Sequence, residues 1–107
     1  MRRALLLGGL LLGGAVAAAP LPTYELSLRD GHFTPPQLVV KAGERFKIVL
    51  TNAGQGPAEF ESTPLRVEKV LSRGVTTFVV IHPLKPGECP FFDEFNPQLP
   101  EGSLLAQ

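Results

Sequence analysis

The sequence predicts an all-β protein, a Greek-key β-sandwich of seven to eight strands. Short runs with period-two alternation or β-branched composition recur along the chain. Eleven prolines and eleven glycines punctuate them, and each corner of a sandwich needs such turn chemistry. No stretch after the N-terminal segment has the 3.6-residue apolar period of an amphipathic helix.

Residues 24–28 alternate apolar and polar side chains, as a strand with one buried face should. Residues 37–41 follow the breaker Thr34-Pro35-Pro36, and residues 46–51 follow the turn at Ala42-Gly43. Residues 52–57 form a loop by composition. Residues 59–62 alternate briefly, which puts Glu59 and Glu61 on one face and Phe60 on the other. Residues 65–71 read as extended, with a single helical turn as the alternative. Residues 75–81 are β-branched and aromatic and give the clearest strand pattern. Residues 91–95 and 103–106 complete the set.

The chain opens on Met1-Arg2-Arg3, followed by an apolar run over residues 4–16 and then Ala17-Ala18-Ala19. A basic start, a short apolar stretch and small residues at its exit predict a secretory signal peptide over residues 1–18. A membrane span needs about 20 apolar residues, so a retained anchor is the lesser alternative. Residues 19–107 then form one domain, exported to the periplasm or beyond and soluble after cleavage. Ten basic residues balance ten acidic ones, and loss of Arg2 and Arg3 tips the balance towards acid. With no basic cluster, nucleic acid is not an expected partner. Cys89 is the single cysteine, so no intrachain disulfide forms and stability rests on packing and strand pairing.

Three ordered blocks resemble the cupredoxin-like superfamily. The first is Phe33-Thr34-Pro35 with Leu38-Val39-Val40 and Gly43; the second is Val49-Leu50-Thr51-Asn52 with Pro57-Ala58-Glu59-Phe60. The third is Leu84-Lys85-Pro86-Gly87 leading into Phe91-Phe92-Asp93, with Gly102-Ser103-Leu104-Leu105 at the end. Within that superfamily, Glu59-Phe60-Glu61, the segment 67–70 and the aromatic segment through Asp93 look most like the cupredoxin domains of EfeO-type periplasmic iron-uptake proteins and their single-domain relatives. That resemblance implies an accessory of iron or copper uptake, working beside a membrane iron permease or a periplasmic uptake component.

The departures from the family pattern redirect the chemistry. Ala58 stands at the first histidine position, Asp93 at the thiolate position and Asn96 at the second histidine position. A type-1 copper centre needs two imidazoles and a thiolate, usually with an axial thioether, and the one methionine is the initiator. No type-1 copper is expected. The resemblance instead brings Glu59 and Asp93 to one end of the sandwich, with Glu61, Glu68 and Glu94 as further metal ligands. Such carboxylates make a hard oxygen site suited to iron, manganese or calcium. The bland alternative is a set of solvated acids, with Asp93 satisfied by Arg66 or Lys69.

Period two places Cys89, Phe91, Asp93 and Phe95 on a common strand face. Cys89 lies about 13 Å from Asp93 along such a strand, too far to share a cation. It reads as a small buried hydrophobe. His32 and His82 occupy loop positions outside the family's ligand set. No catalytic triad, metalloprotease motif or phosphate loop is present, so an enzyme is not expected. The competing functional reading is a metal-free interaction module that docks on a partner through its Phe-Phe-Asp-Glu-Phe loop.

Overall fold

The computed structural model describes residues 20–107, so the signal-peptide reading of residues 1–18 lies outside the described residues. Nine strands follow in order: β1 (Thr23–Arg29), β2 (His32–Thr34), β3 (Gln37–Val40), β4 (Phe46–Asn52), β5 (Ala58–Ser62), β6 (Val67–Leu71), β7 (Thr76–Ile81), β8 (Gly87–Phe91) and β9 (Gly102–Ala106). Among the described residues, no helix is long and apolar enough to cross a membrane.

One layer has the order β2-β1-β4-β7. The other is built from β3-β9-β8 and from the pair β5-β6. These two pieces are joined by a reciprocal pair of backbone hydrogen bonds, beside which Ser62 Oγ donates to the Pro90 carbonyl at 2.8 Å. Glu61 N–H donates to the Phe92 carbonyl at 3.0 Å, and Phe92 N–H donates to the Glu61 carbonyl at 2.9 Å. Strand β1 runs parallel to β4, while β3 crosses to the other layer and runs parallel to β9. This is the Greek-key sandwich that the punctuated strand pattern predicts.

Two expectations need correction. Strand β2 was not expected, because three residues between Asp30-Gly31 and the cis Thr34–Pro35 bond are too few to display an alternating pattern. The final aromatic strand does not run to Phe95. It spans Gly87–Phe91, with Phe92 in the isolated bridge to Glu61, and Asp93 then starts a turn.

The core forms where the two layers face each other. Leu26, Leu28, Ile48 and Leu50 pack from one side against Leu38, Phe60, Phe91 and Leu104 from the other. Each such side chain removed from water contributes roughly 1.5–3 kcal/mol. Phe91 sits at the centre, edge-on to Phe33 and tilted against Phe60, with both ring centroids 4.9 Å away. A side chain at Gly102 would collide with the Phe91 ring, so the glycine makes room for the aromatic core.

The loop between β4 and β5 is held by a buried amide. Asn52 Nδ2 donates to the carbonyls of Gly56 and Leu71 at 2.9 and 3.0 Å, and Asn52 Oδ1 accepts from Gly54 N–H at 2.9 Å. Those bonds fix where β5 starts, and so where Glu59 emerges.

Candidate metal centre

Four acidic side chains converge on the outer face of the second layer. One carboxylate oxygen from each of Glu59, Glu61, Glu68 and Glu94 lies within 4.8 Å of all the others. Glu59 and Glu61 alternate along β5 around Phe60, which points into the core. Glu68 stands directly opposite Glu61 in the antiparallel register of β5 with β6. Like charges in that cross-strand position repel. Glu94 arrives from the turn after β8, which folds across β5.

That turn explains why Glu59 is only 3% exposed although it faces away from the core. Its Oε1 accepts a hydrogen bond from Glu94 N–H at 3.0 Å. Glu61 Oε1 is buried with no hydrogen-bond partner among the described residues. A buried oxygen without a donor is costly.

The electrostatics follow from this crowding. Burial pushes the Glu59 carboxyl up from 4.5 to about 7, repulsion from Glu61 and Glu94 adds to the rise, and the Glu94 N–H partly opposes it. Glu61 is also raised, by loss of water first and then by the charges of Glu94 and Glu68. Without a cation, Glu59 and Glu61 therefore keep their protons to higher pH than isolated glutamates do.

Asp93 is not part of the cluster. It is buried, but its oxygens serve its own turn: Oδ1 accepts from Phe95 N–H at 2.9 Å and Oδ2 from Asn96 Nδ2 at 3.4 Å. Of the five expected ligands, the structure brings Glu59, Glu61, Glu68 and Glu94 together and leaves Asp93 outside that group. Neither Arg66 nor Lys69 forms an ion pair with Asp93 among the described residues. The common-face expectation holds to the buried Asp93 and fails at Phe95, which is 52% exposed. A turn that accepts its own backbone N–H groups removes the period of two.

Cys89 is half-buried on β8, opposite Leu104, and outside the cluster. His32 and His82 are both exposed and also outside it. Sequence reading missed Asn52, and its signal would have been an amide placed just before a Gly-rich loop.

The resemblance to cupredoxins implies copper, and these residues do not fit a type-1 centre. Ala58 is a buried methyl with no donor, while Asp93 and Asn96 hold each other in the turn. The cluster supplies only carboxylate oxygens, which suit a hard cation.

Comparison with known proteins places the chain in a family. It belongs to the cupredoxin-like domain family, whose model matches residues 3–106. An uncharacterized protein of Rickettsia prowazekii (strain Madrid E) is 26% identical over 81 residues, which cover 76% of this chain. The match spans 65% of that protein, just under two thirds of its length.

Solved structures share the fold at low identity. The metal binding domain of the Streptococcus pneumoniae D39 Cu(I)-exporting P-type ATPase CopA, solved with Cu(I), superposes with a TM-score of 0.69 at 12% identity. That match covers 87% of this chain and 92% of the domain. Auracyanin B gives 0.68 at 13% identity, covering 86% and 93%. A purple cupredoxin from Nitrosopumilus maritimus gives 0.60 at 14% identity, covering 78% and 99%.

Proposed function

We propose that this chain is an exported metal-binding protein, an accessory of iron or copper uptake, that holds a hard cation between Glu59, Glu61, Glu68 and Glu94. The observation that carries this reading is the convergence of four carboxylates within 4.8 Å, with one buried oxygen left unpartnered. A divalent or trivalent cation would convert mutual repulsion into coordination and displace the protons that the apo cluster retains. Glu59 would act as the buried ligand. Glu68 and Glu94, both exposed, would form the face through which the ion enters and leaves. An exposed rim suits reversible loading and transfer to a membrane permease or a periplasmic uptake component. In this reading the role is binding and handover of the ion.

The test is thermal unfolding of residues 20–107 with Fe(II), Fe(III)-citrate, Mn(II), Ca(II) and Cu(II), beside a Glu59→Gln/Glu61→Gln variant. A cation that binds only the folded state at a hundred times its dissociation constant adds about 2.7 kcal/mol. For a domain of this size that raises the melting temperature by roughly 10 °C or more. A hard cation should give the shift and the variant should lose it. No shift with any cation would remove the metal-binding reading.

A second reading has one observation in its favour, the 52% exposure of Phe95 beside Glu94 at the tip of the turn. A metal-free module would dock through this tip. Of the three phenylalanines there, only Phe95 is free to do so, since Phe91 is core and Phe92 is half-buried. Absence of any cation effect, together with loss of partner capture in Phe95→Ser, would favour this alternative.

A further inference from the structure

Among the described residues, the two layers end on four edge strands: β2 and β7 in one, β3 and β6 in the other. Unpaired edges invite strand addition, and proteins usually blunt them by shortness, charge, proline or a bulge. Strand β2 has three residues and β3 has four, followed at once by Lys41. Strand β6 carries Glu68 and Lys69. Strand β7 has none of these four protections, although residues 64–67 line a cavity beside its end at Val80 and Ile81. Residues 75–81 contain no charge and no proline, and β7 pairs with β4 in unbroken register from Thr76 to Ile81. Its Phe78 is 54% exposed and Val75, just before the strand, 40%, while Ile81 is buried in the core.

We propose that β7 is a self-pairing edge, through which two copies of this chain join antiparallel about a two-fold axis at Phe78. The residue pattern around Phe78 favours a second copy over a foreign strand. A two-fold axis sets each residue against its mirror position in the other copy, so a charge at the axis would meet its like. About Phe78 the pattern is nearly symmetric. Thr77 would face Val79 of the second copy, Thr76 would face Val80, and Val75 would face Ile81.

Every one of those pairs is β-branched on β-branched, the combination that packs well across strands. At the rims, His82 would meet Gly74 and Arg73 would meet Pro83, so no cation opposes a cation. Phe78 would lie against its own copy, with Lys47 over the outer side of its ring at 5.0 Å from the centroid. A foreign charged peptide would find no charge on this strand to recognise. The pairing would extend the four-stranded layer into one continuous sheet of both copies and bury the exposed phenylalanines.

Sedimentation velocity on residues 20–107, from ~1 µM to ~1 mM, reads the association over the range where weak dimers form. EDTA is included so that no cation bridges two acidic clusters. The wild type should shift from monomer to dimer as concentration rises. Phe78→Lys and Phe78→Glu should each weaken association by about tenfold or more, because each sets a charge against its like, with little change in melting temperature at this exposed position. An equimolar mixture of the two variants should recover a heterodimer, since the axis sets lysine against glutamate. Val70→Lys, at an exposed apolar position on β6, should leave association unchanged. A wild type that stays monomeric throughout overturns the proposal and leaves the edge to a foreign strand. A dimer that persists in Phe78→Lys, or a mixture that fails to associate, overturns it as well.

Discussion

Glu59 and Glu94 lie far apart in the chain yet are joined by one hydrogen bond, from Glu94 N–H to Glu59 Oε1 at 3.0 Å. The bond ties the turn after β8 down onto β5 and shuts water away from the Glu59 carboxyl. It thereby creates both the buried ligand and the strained electrostatics of the acidic cluster. The turn's backbone does the covering, while its side chain at Glu94 supplies the fourth carboxylate. Cluster and turn therefore form one unit, and disturbing either should be felt by the other.

Glu59→Gln should stabilise the cation-free protein at neutral and higher pH. Glutamine keeps an oxygen to accept from Glu94 N–H but carries no charge to desolvate. A rise from 4.5 to about 7 corresponds to a penalty of at most roughly 3 kcal/mol, and about 1 to 2 kcal/mol once partial access of water to the cluster is allowed for. Urea unfolding at pH 8 should show a raised midpoint at unchanged slope. A lowered midpoint would mean that the carboxylate is favourably paired in the apo protein.

The pH dependence has a definite sign. Glu59 binds its proton more tightly folded than unfolded, so between about 4.5 and 7 the native state holds the extra proton and stability falls as pH rises. The penalty is absent below that window and complete above it, and Glu61 is shifted in the same direction. The cation-free melting temperature should therefore be higher at pH 5 than at pH 8, by roughly 4 °C or more for each kcal/mol involved. In Glu59→Gln the slope should flatten. A bound cation must displace these protons, so its stabilising effect should grow over the same window in which the apo protein weakens.

The sandwich was legible because turn chemistry and period-two alternation both act locally. Residues 46–51 and 75–81 announce themselves by composition, and they became β4 and β7, paired in register. Glu59, Glu61, Glu68 and Glu94 were candidates through the cupredoxin resemblance, and strand alternation put the first two on one face. Their convergence was not legible, since it depends on the cross-strand pairing of Glu61 with Glu68 and on a turn folding back over β5. Asp93 stands apart from the four for a physical reason. An aspartate after an aromatic strand resembles a ligand by position, yet its oxygens close a local turn that no alternation pattern reveals. The unprotected character of β7 was written in residues 75–81, but only the topology shows that the strand lies at an edge.

Asp93→Ala separates structure from ligation. It would leave Phe95 N–H and the Asn96 amide without their acceptor, at a cost of about 1–3 kcal/mol. Asp93→Asn keeps an acceptor oxygen and should cost less. Because Asp93 lies outside the four converging carboxylates, Asp93→Asn should keep a cation-induced rise in melting temperature that Glu59→Gln/Glu61→Gln loses. Loss of that rise in Asp93→Asn would return Asp93 to the ligand set.

Gly102→Ala tests the packing on which the metal centre rests. A methyl group at this position would run into the Phe91 ring, and Phe91 is fully buried between Phe33 and Phe60. The ring cannot retreat without displacing both neighbours, so the substitution overpacks the core and should cost about 1–3 kcal/mol. Strand β8 would have to move, carrying with it Phe92, whose backbone anchors β5 at Glu61. Gly102→Ala should therefore lower the melting temperature and also weaken cation binding, although residue 102 is not among the four converging carboxylates. The double variant Gly102→Ala/Phe91→Leu frees space beside the new methyl and should recover part of both losses. Full stability in Gly102→Ala alone would mean that the second layer is looser around Phe91 than its contacts require.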